Sequence, residues 1–500
     1  MLLKLVLKIL ITVFCALLPL SSRADTVITN FTLAAMKAAL TNGGLITFTN
    51  VSTNATLVLT NGSLDISTNT TIDGSGLSIT FSGNTSTNTN AVVKRVFYVT
   101  NNVTLTLANL SVINGTETNG AGIFVAAGAI LNITNCTFEG NFALGPHGKN
   151  GNNASNNGGN GGNGAPGTNG VGGAIYNLGK VTVENSVIFN NQAWGGDGGN
   201  GGRGGDDSSF GGEGGNGAAG AVGWGGGIYN GTNATLFIIN STLTNNFALG
   251  GFGGLHGLGG TASFPGEPGR GGLGAAGAGG AIYNVGTAII TNSTVVTNAA
   301  FGGDTGHADV GVSDDGGPGG VADGGGIYNA GNLTVANSTF TQNFVEGGKG
   351  GNAYSGNERY GGNGGNGRGG AIFSTNQLTV LSSTLALNSA IGGPKGIAGY
   401  PGGSRDGSVG ASLGGNIYRL NGTVTLYNTI LVRGTSGANY ASAIAGSVLG
   451  GTNLSSDATP ANFPAAQKNT NAMLFALANN GGPTATMALR TNSRRECIPH

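Results

Sequence analysis

The chain has 500 residues, of which 101 are glycine and only 8% are charged, and its formal net charge is +0. A neutral chain carries no electrostatic footprint for nucleic acid or for an anionic membrane surface, which argues against both as partners. The 38% apolar residues fall in alternating runs, a pattern that disordered glycine-rich tracts lack.

Residues 1–24 read as an export signal. Lys4 and Lys8 lead into an apolar run over 9–20, and Ser22-Arg23-Ala24 supplies small residues before a cleavage site. The run is too short for a transmembrane helix, and no later stretch is long and apolar enough to be one. Cys15 belongs to this signal. The mature chain is expected to begin near Asp25 and to be exported.

Next comes a helix over 33–40. Thr32 is placed to cap it, Leu33, Met36 and Leu40 share a face, and Gly43 suits a left-handed stop. A single helix ahead of a β-repeat array is expected to cover the first open coil. From Leu45 the period changes to two, as in Ile46-Thr47-Phe48-Thr49 and Val103-Thr104-Leu105-Thr106-Leu107. These runs are β-branched, broken by Asn-Gly, Asp-Gly and Ser-Gly turns, and too short for helices.

From Gly120 onward one phrase recurs. Gly172-Gly173-Ala174-Ile175-Tyr176-Asn177 returns at Gly225, Gly279 and Gly324, with looser copies around Ile123, Ile372 and Ile417. Each copy is followed by a short alternating strand and an ending such as Asn337-Ser338-Thr339-Phe340-Thr341-Gln342-Asn343. Three short strands bent at asparagines make one triangular coil, so the expected fold is an all-β, single-stranded right-handed parallel β-helix of about ten coils. Stacking places Ile175, Ile228, Ile282, Ile327, Ile372 and Ile417 in one core column. It places Asn185, Asn240, Asn292 and Asn337 in an amide ladder at the bend. The recurring tyrosine must stack as well, on a side the pattern leaves open. Cys136 occupies a slot where other coils carry serine, which reads as a buried inert thiol.

The remainder of each period is a glycine-rich loop: 145–172, 195–225, 250–279, 302–324, 347–369 and 392–414. All six leave the coil at the same corner. Several have period three, which permits extended threefold helices packed through bare glycine faces. Six flexible loops are the alternative.

Gly-Gly-Ala-Ile-Tyr-Asn and Phe340-x-x-Asn343 resemble the paired signatures of the polymorphic outer membrane protein repeat. Thr71-Ile72-Asp73-Gly74-Ser75-Gly76 and Phe97-Tyr98-Val99-Thr100 resemble the first coils of pectate-lyase-like β-helix proteins of bacterial surfaces. The stretch from Asn453 through Asn479-Asn480-Gly481-Gly482-Pro483 to Leu489 resembles a C-terminal choice-of-anchor Q module. That resemblance breaks at Arg490, and the charged ending through Cys497 reads as a frameshift or truncation. The expected organisation is a signal over 1–24, a cap over 25–44, a β-helix over 45–440, an anchor-like segment over 441–489 and an atypical tail over 490–500.

The β-helix scaffold also hosts polysaccharide lyases and hydrolases, whose chemistry needs carboxylates clustered on adjacent coils. The coil cores carry almost none, Glu139 and Glu184 being the main examples. The best charged cluster is Asp304, His307, Asp309, Asp314 and Asp315 in one loop, with Asp206-Asp207 in another. Solvated loop polarity is the plain reading, and a loose calcium site at Asp304, Asp309, Asp314 and Asp315 is the sharper one. The expectation is therefore an elongated, monomeric, exported surface or secreted protein. It is read as adhesin-like or structural, without catalytic residues or cofactor, and meeting a surface glycan or protein. The alternative is a polysaccharide-binding or polysaccharide-cleaving β-helix protein.

Overall fold

The computed structural model describes residues 25–60, 62–83, 94–155, 157–306, 316–353, 360–398 and 405–490. The expected signal over 1–24 and the ending beyond Arg490 lie outside them. No helix among the described residues is long and apolar enough to cross a membrane.

Alternation in the sequence becomes alternation across a wall. In the strand Thr235–Ile239, Leu236 and Ile238 are fully buried while Thr235, Phe237 and Ile239 face outward. This strand pairs in parallel and in register with Lys180–Glu184 on one side and Thr287–Thr291 on the other. The same holds for Ile228–Asn230, Thr242–Thr244 and Phe247–Leu249, which complete the coil. Repetition yields sheets of 12, 17 and 10 strands that enclose one apolar core, a parallel β-helix. A further six-stranded sheet of two-residue strands forms the base of the loops. In the coils from Thr137 to Glu346 the strand after the bend is itself broken in two at the closing asparagine, giving four short strands rather than three, whereas Thr384–Ile391 runs unbroken.

The bends follow from local chemistry. Asn135, Asn185, Asn240, Asn292 and Asn337 have φ of 53, 48, 50, 51 and 48°, the left-handed conformation that a short amide side chain tolerates. The serine after each bend accepts from the backbone of the preceding coil, as in Ser186 N–H to Ser241 Oγ and Ser241 N–H to Ser293 Oγ, both 3.1 Å. Cys136 ends this column. Burial pushes its thiol up to about 11, outweighing its backbone hydrogen bonds, which suits an unreactive filler.

Ile175, Ile228, Ile282, Ile327, Ile372 and Ile417 pair in succession and none is exposed to solvent. The bend asparagines do less than expected of them. Asn292 donates to Asn240 at 3.2 Å, but most of these side chains face solvent. The continuous amide ladder lies six residues further on, at the closing asparagine. There Asn141, Asn191, Asn246, Asn298, Asn343 and Asn388 are linked amide to amide at 2.9–3.0 Å. The ladder continues at 2.8 and 2.6 Å onto Asn416 and Asn439, which precede strands of the ten-stranded sheet; all are fully buried. A second buried ladder joins Asn177, Asn230, Asn284 and Asn329 and ends on Ser374.

Helix α1 (Leu33–Asn42) has Thr32 as its N-cap, and its C-terminal Gly43 has φ of 68°. Met36, Ala39 and Leu40 are buried where the ten-stranded sheet would otherwise end at Leu64–Ile66. One strand, Thr26–Ile28, precedes the helix and pairs with Gly44–Phe48. At the other end Tyr440–Ser442, Leu449–Gly451 and Leu454–Ser455 add a last coil. The chain then doubles back along the outside of the 17-stranded sheet, where the Thr294 hydroxyl donates to the Ala485 carbonyl at 2.6 Å.

Replacing Ile282 by alanine is expected to cost about 2–5 kcal/mol, since the packed column cannot collapse into the gap. Asn246→Ala strips the acceptor from the buried backbone N–H of Asn191, whose side-chain amide keeps Phe138 O and Phe189 O. A stranded buried group costs about 1–3 kcal/mol. Urea unfolding of the two variants, compared with exposed Asn185→Ala, checks the ranking.

Candidate functional site

Over their described residues the glycine loops are tied together by hydrogen bonds of their amides. Each loop runs out from the coil and returns antiparallel to itself, with Thr168 N–H donating to Pro146 O and Ala165 N–H to Lys149 O. In the triplet Gly198-Gly199-Asn200, Gly198 N–H donates to Phe252 O of the next loop. Gly199 N–H donates to Ala165 O of the returning segment behind it. The third amide, Asn200 N–H, is taken by the Asn150 side chain at 2.9 Å. The pattern repeats at Arg203 on Asn153, Leu255 on Asn200 and Thr261 on Asp206. Asparagine or aspartate recurs at third positions such as Asn150, Asn153, Asn200 and Asp206 because the neighbouring loop needs its oxygen.

Where a triplet is packed between two neighbours, glycine is required at the other two positions by space. A Cβ on Gly199 would lie 2.0 Å from Lys149 O, and one on Gly198 1.8 Å from Ala218 O. Over the described residues the loops therefore form one packed ridge of period-three segments, not independent flaps. Most of its larger side chains project from the third position of a triplet, as at Asn150, Asp197 and Asn200.

On the returning side these third positions fall into rows. Glu213 N–H donates to Asn160 Oδ1 at 2.9 Å and Gly214 N–H donates to Glu267 O, which sets Asn160, Glu213 and Glu267 side by side. Asn163, Asn216 and Arg270 form the next row, joined by backbone-to-amide bonds of 2.8 and 2.7 Å. The six residues line an open groove of about 420 Å³. Its floor is rigid backbone, and its walls offer amides, two carboxylates and one guanidinium.

Below the ridge runs a column of aromatic rings: Tyr98, Phe124, Tyr176, Tyr229, Tyr283, Tyr328, Phe373 and Tyr418. Successive centroids lie 4.4–5.6 Å apart with nearly parallel planes. The rings sit on the outer side of the ten-stranded sheet, opposite Ile175 and its equivalents. Trp224, from the base of the ridge, stacks on Tyr283 at 4.8 Å. The Arg368 guanidinium covers Phe373 at 5.0 Å while holding Asp323 through two bonds of 2.7 and 2.8 Å. Burial raises the Tyr283 hydroxyl far above the usual phenol range. Because the ring faces are spent on one another, the column is a support for the ridge rather than a ligand platform.

Of the expected calcium ligands, Asp304 is described, and its carboxylate accepts from Lys349 N–H at 2.7 Å. Asp309, Asp314 and Asp315, with His307, lie outside the described residues. Asp206 accepts from Thr261 N–H and pairs with Arg203 at 2.6 Å, so it too serves the ladder. Among the described residues there is no group of three or more His, Cys, Asp or Glu placed to share a metal ion. The sequence reading passed over Glu213 and Glu267. Their spacing of one local period was the available signal, hidden by turns of unequal length at the loop tips.

No protein-family model and no curated protein matches the chain. Among solved structures it is similar to an alginate lyase from Paenibacillus sp. str. FPU-7, with 12% identity and a TM-score of 0.35, over 86% of this chain and 98% of that one. It is similar also to PfbA, a surface adhesin of Streptococcus pneumoniae, with 10% identity and a TM-score of 0.22, over 81% and 88% of the two chains. A GH87 alpha-1,3-glucanase from Streptomyces thermodiastaticus shows 12% identity and a TM-score of 0.23, over 88% and 69%. Likenesses this distant carry no activity over to this chain.

Gly202→Ala sets a Cβ 2.0 Å from Asn152 O. It is expected to raise amide hydrogen exchange around Gly162, Gly202 and Gly215 while Ile228–Asn230 in the coil keep their protection. Acid gives a second test. The Thr261 backbone N–H, ahead of Arg203, holds the Asp206 carboxyl below its ordinary 3.8. The Ala398 N–H, ahead of Lys395, does the same for Asp406. A depressed folded pKa contributes stability that is fully present above 3.8 and is lost as pH falls through the folded value. Protection at Thr261 and Ala398 should therefore fall below that pH. Leu255, held by the non-titrating Asn200, should keep its protection.

Proposed function

We propose that this protein is an exported, non-catalytic surface or secreted β-helix whose glycine ridge is a rigid, adhesin-like recognition face for a hydroxyl-rich glycan chain. The observation that carries the reading is the groove of Asn160, Asn163, Glu213, Asn216, Glu267 and Arg270. The oxygens of Asn160, Asn163 and Asn216 are already engaged by backbone N–H groups, so their side-chain N–H groups are turned to donating. Glu213 and Glu267 supply acceptors beside them. A face whose side chains are fixed by their own ladder loses little conformational freedom on binding, which favours recognition of a weakly binding polyol. The period of the repeat sets the spacing of the donors. The signal-like start over 1–24 and the resemblance of the repeats to polymorphic outer membrane proteins support placement at the cell surface.

One observation favours the cleaving alternative. Glu213 and Glu267 stand on adjacent loops in one row, the arrangement that two-carboxylate glycan chemistry uses. One experiment separates the readings: the purified protein is applied to a glycan array, then incubated with the bound glycans and assayed for new reducing or unsaturated ends. The expected result is binding that falls tenfold or more in Glu213→Gln/Glu267→Gln, with no new ends from the wild type. Turnover that disappears in Glu213→Gln would replace the binding reading with the enzymatic one.

A further inference from the structure

In an asparagine-glycine pair, attack of the backbone nitrogen on the side-chain amide meets the least steric resistance, because glycine carries no Cβ beside that nitrogen. The ridge contains such pairs, and a single residue of the adjacent loop engages both of their reacting groups. Leu255 N–H donates to Asn200 Oδ1 at 2.8 Å, and Gly201 N–H donates to Leu255 O at 2.8 Å. Asn216 does the same for Asn163-Gly164, with both bonds at 2.8 Å. Ala411 does it for Asn366-Gly367, at 2.8 and 2.9 Å. In each pair the attacking N–H is held by another carbonyl, and the side chain that would be attacked is fixed by a second bond.

Asn421-Gly422 is arranged in the opposite sense. It lies in the bend between the strands Ile417–Arg419 and Val424–Tyr427, and Asn421 is exposed. Gly422 has φ of 73°, and its N–H donates back to Asn421 Oδ1 at 2.8 Å. The Gly422 nitrogen is therefore within about 4 Å of Asn421 Cγ, which lies one carbonyl bond beyond that oxygen. Asn480-Gly481 is exposed as well but is held differently. Gly481 N–H donates to Asn479 Oδ1 at 3.0 Å, and the Asn480 side-chain amide donates to Thr486 at 2.9 and 3.0 Å.

We propose that Asn421 is a site of spontaneous deamidation in the folded protein, and that the ridge pairs are protected from the same reaction by their neighbouring loops. The Gly422 nitrogen gives up its proton and adds to Asn421 Cγ. The bond from Cγ to the side-chain nitrogen breaks, and ammonia leaves. Water then opens the five-membered imide at either carbonyl, giving aspartate or isoaspartate. The bend gains a negative charge, whereas the amide rows of the ridge keep their neutral donors.

The test is a time course of the full chain at mildly alkaline pH, digested and mapped by mass spectrometry, beside a sample unfolded in guanidinium chloride. In the folded sample Asn421 is expected to convert at least tenfold faster than Asn163, Asn200, Asn366 or Asn480. In the unfolded sample, where only the shared Asn-Gly sequence remains, the rates are expected to converge. Asn163 or Asn200 converting in the folded chain as fast as Asn421 overturns the protection by neighbouring loops. Asn480 keeping pace with Asn421 overturns the geometric assignment, because exposure alone then sets the rate. An Asn421 that stays intact in the folded chain while the unfolded sample converts overturns it as well.

Discussion

Everything in this molecule depends on one constraint, the backbone hydrogen bond directed from each coil to its neighbour. In an ordinary domain such bonds join strands of one sheet. Here they run the length of the body, about 4.8 Å per coil, and they govern the loops as strictly as the strands. Because equivalent residues lie above one another, any side chain tolerated once must be tolerated beside its own copy. Isoleucine, asparagine, serine and tyrosine satisfy that condition by packing, amide pairing, hydroxyl-to-amide bonding and ring stacking. Charge does not, and the low charge of the chain follows from the geometry.

The ridge shows how close this arrangement comes to the limit of what can order. Fixing a backbone residue costs about 1–2 kcal/mol, and glycine stands at the high end. A hydrogen bond returns only about 0.5–1.5 kcal/mol net. A single glycine loop therefore has no reason to order by itself. Six loops anchored at one corner differ, because the coils have already set their spacing and register. Triplets such as Gly198-Gly199-Asn200 then satisfy two amides through backbone and a third through the asparagine of a neighbour. The β-helix is the template, and the buried aromatic column with the Asp323–Arg368 pair fastens the ridge to it.

Much of this was legible before the structure. The Gly-Gly-Ala-Ile-Tyr-Asn phrase implied stacking, its isoleucine implied the core, and Thr32 with Gly43 bounded helix α1. The location of the amide ladder was not legible. Asn185 and Asn191 recur with equal regularity, and nothing in spacing alone separates a bend residue facing solvent from a buried amide six positions later. The Glu213 and Glu267 row was hidden for a related reason. Loop tips of different length shift the numbering, so register has to be counted back from the re-entry glycines.

The sequence by itself determined the repeat, the coil, the residues that fill it and the corner from which the loops depart, because those rest on periodicity within one unit. Only the tertiary structure decided that the loops pack, which asparagines bear the ladder and where the C-terminal segment lies. It also decided which way the tyrosines face. Those outcomes rest on hydrogen bonds and ring contacts between residues 45 to 55 positions apart, and on one contact spanning 191. A chain read one unit at a time contains the partners of such bonds but not their meeting.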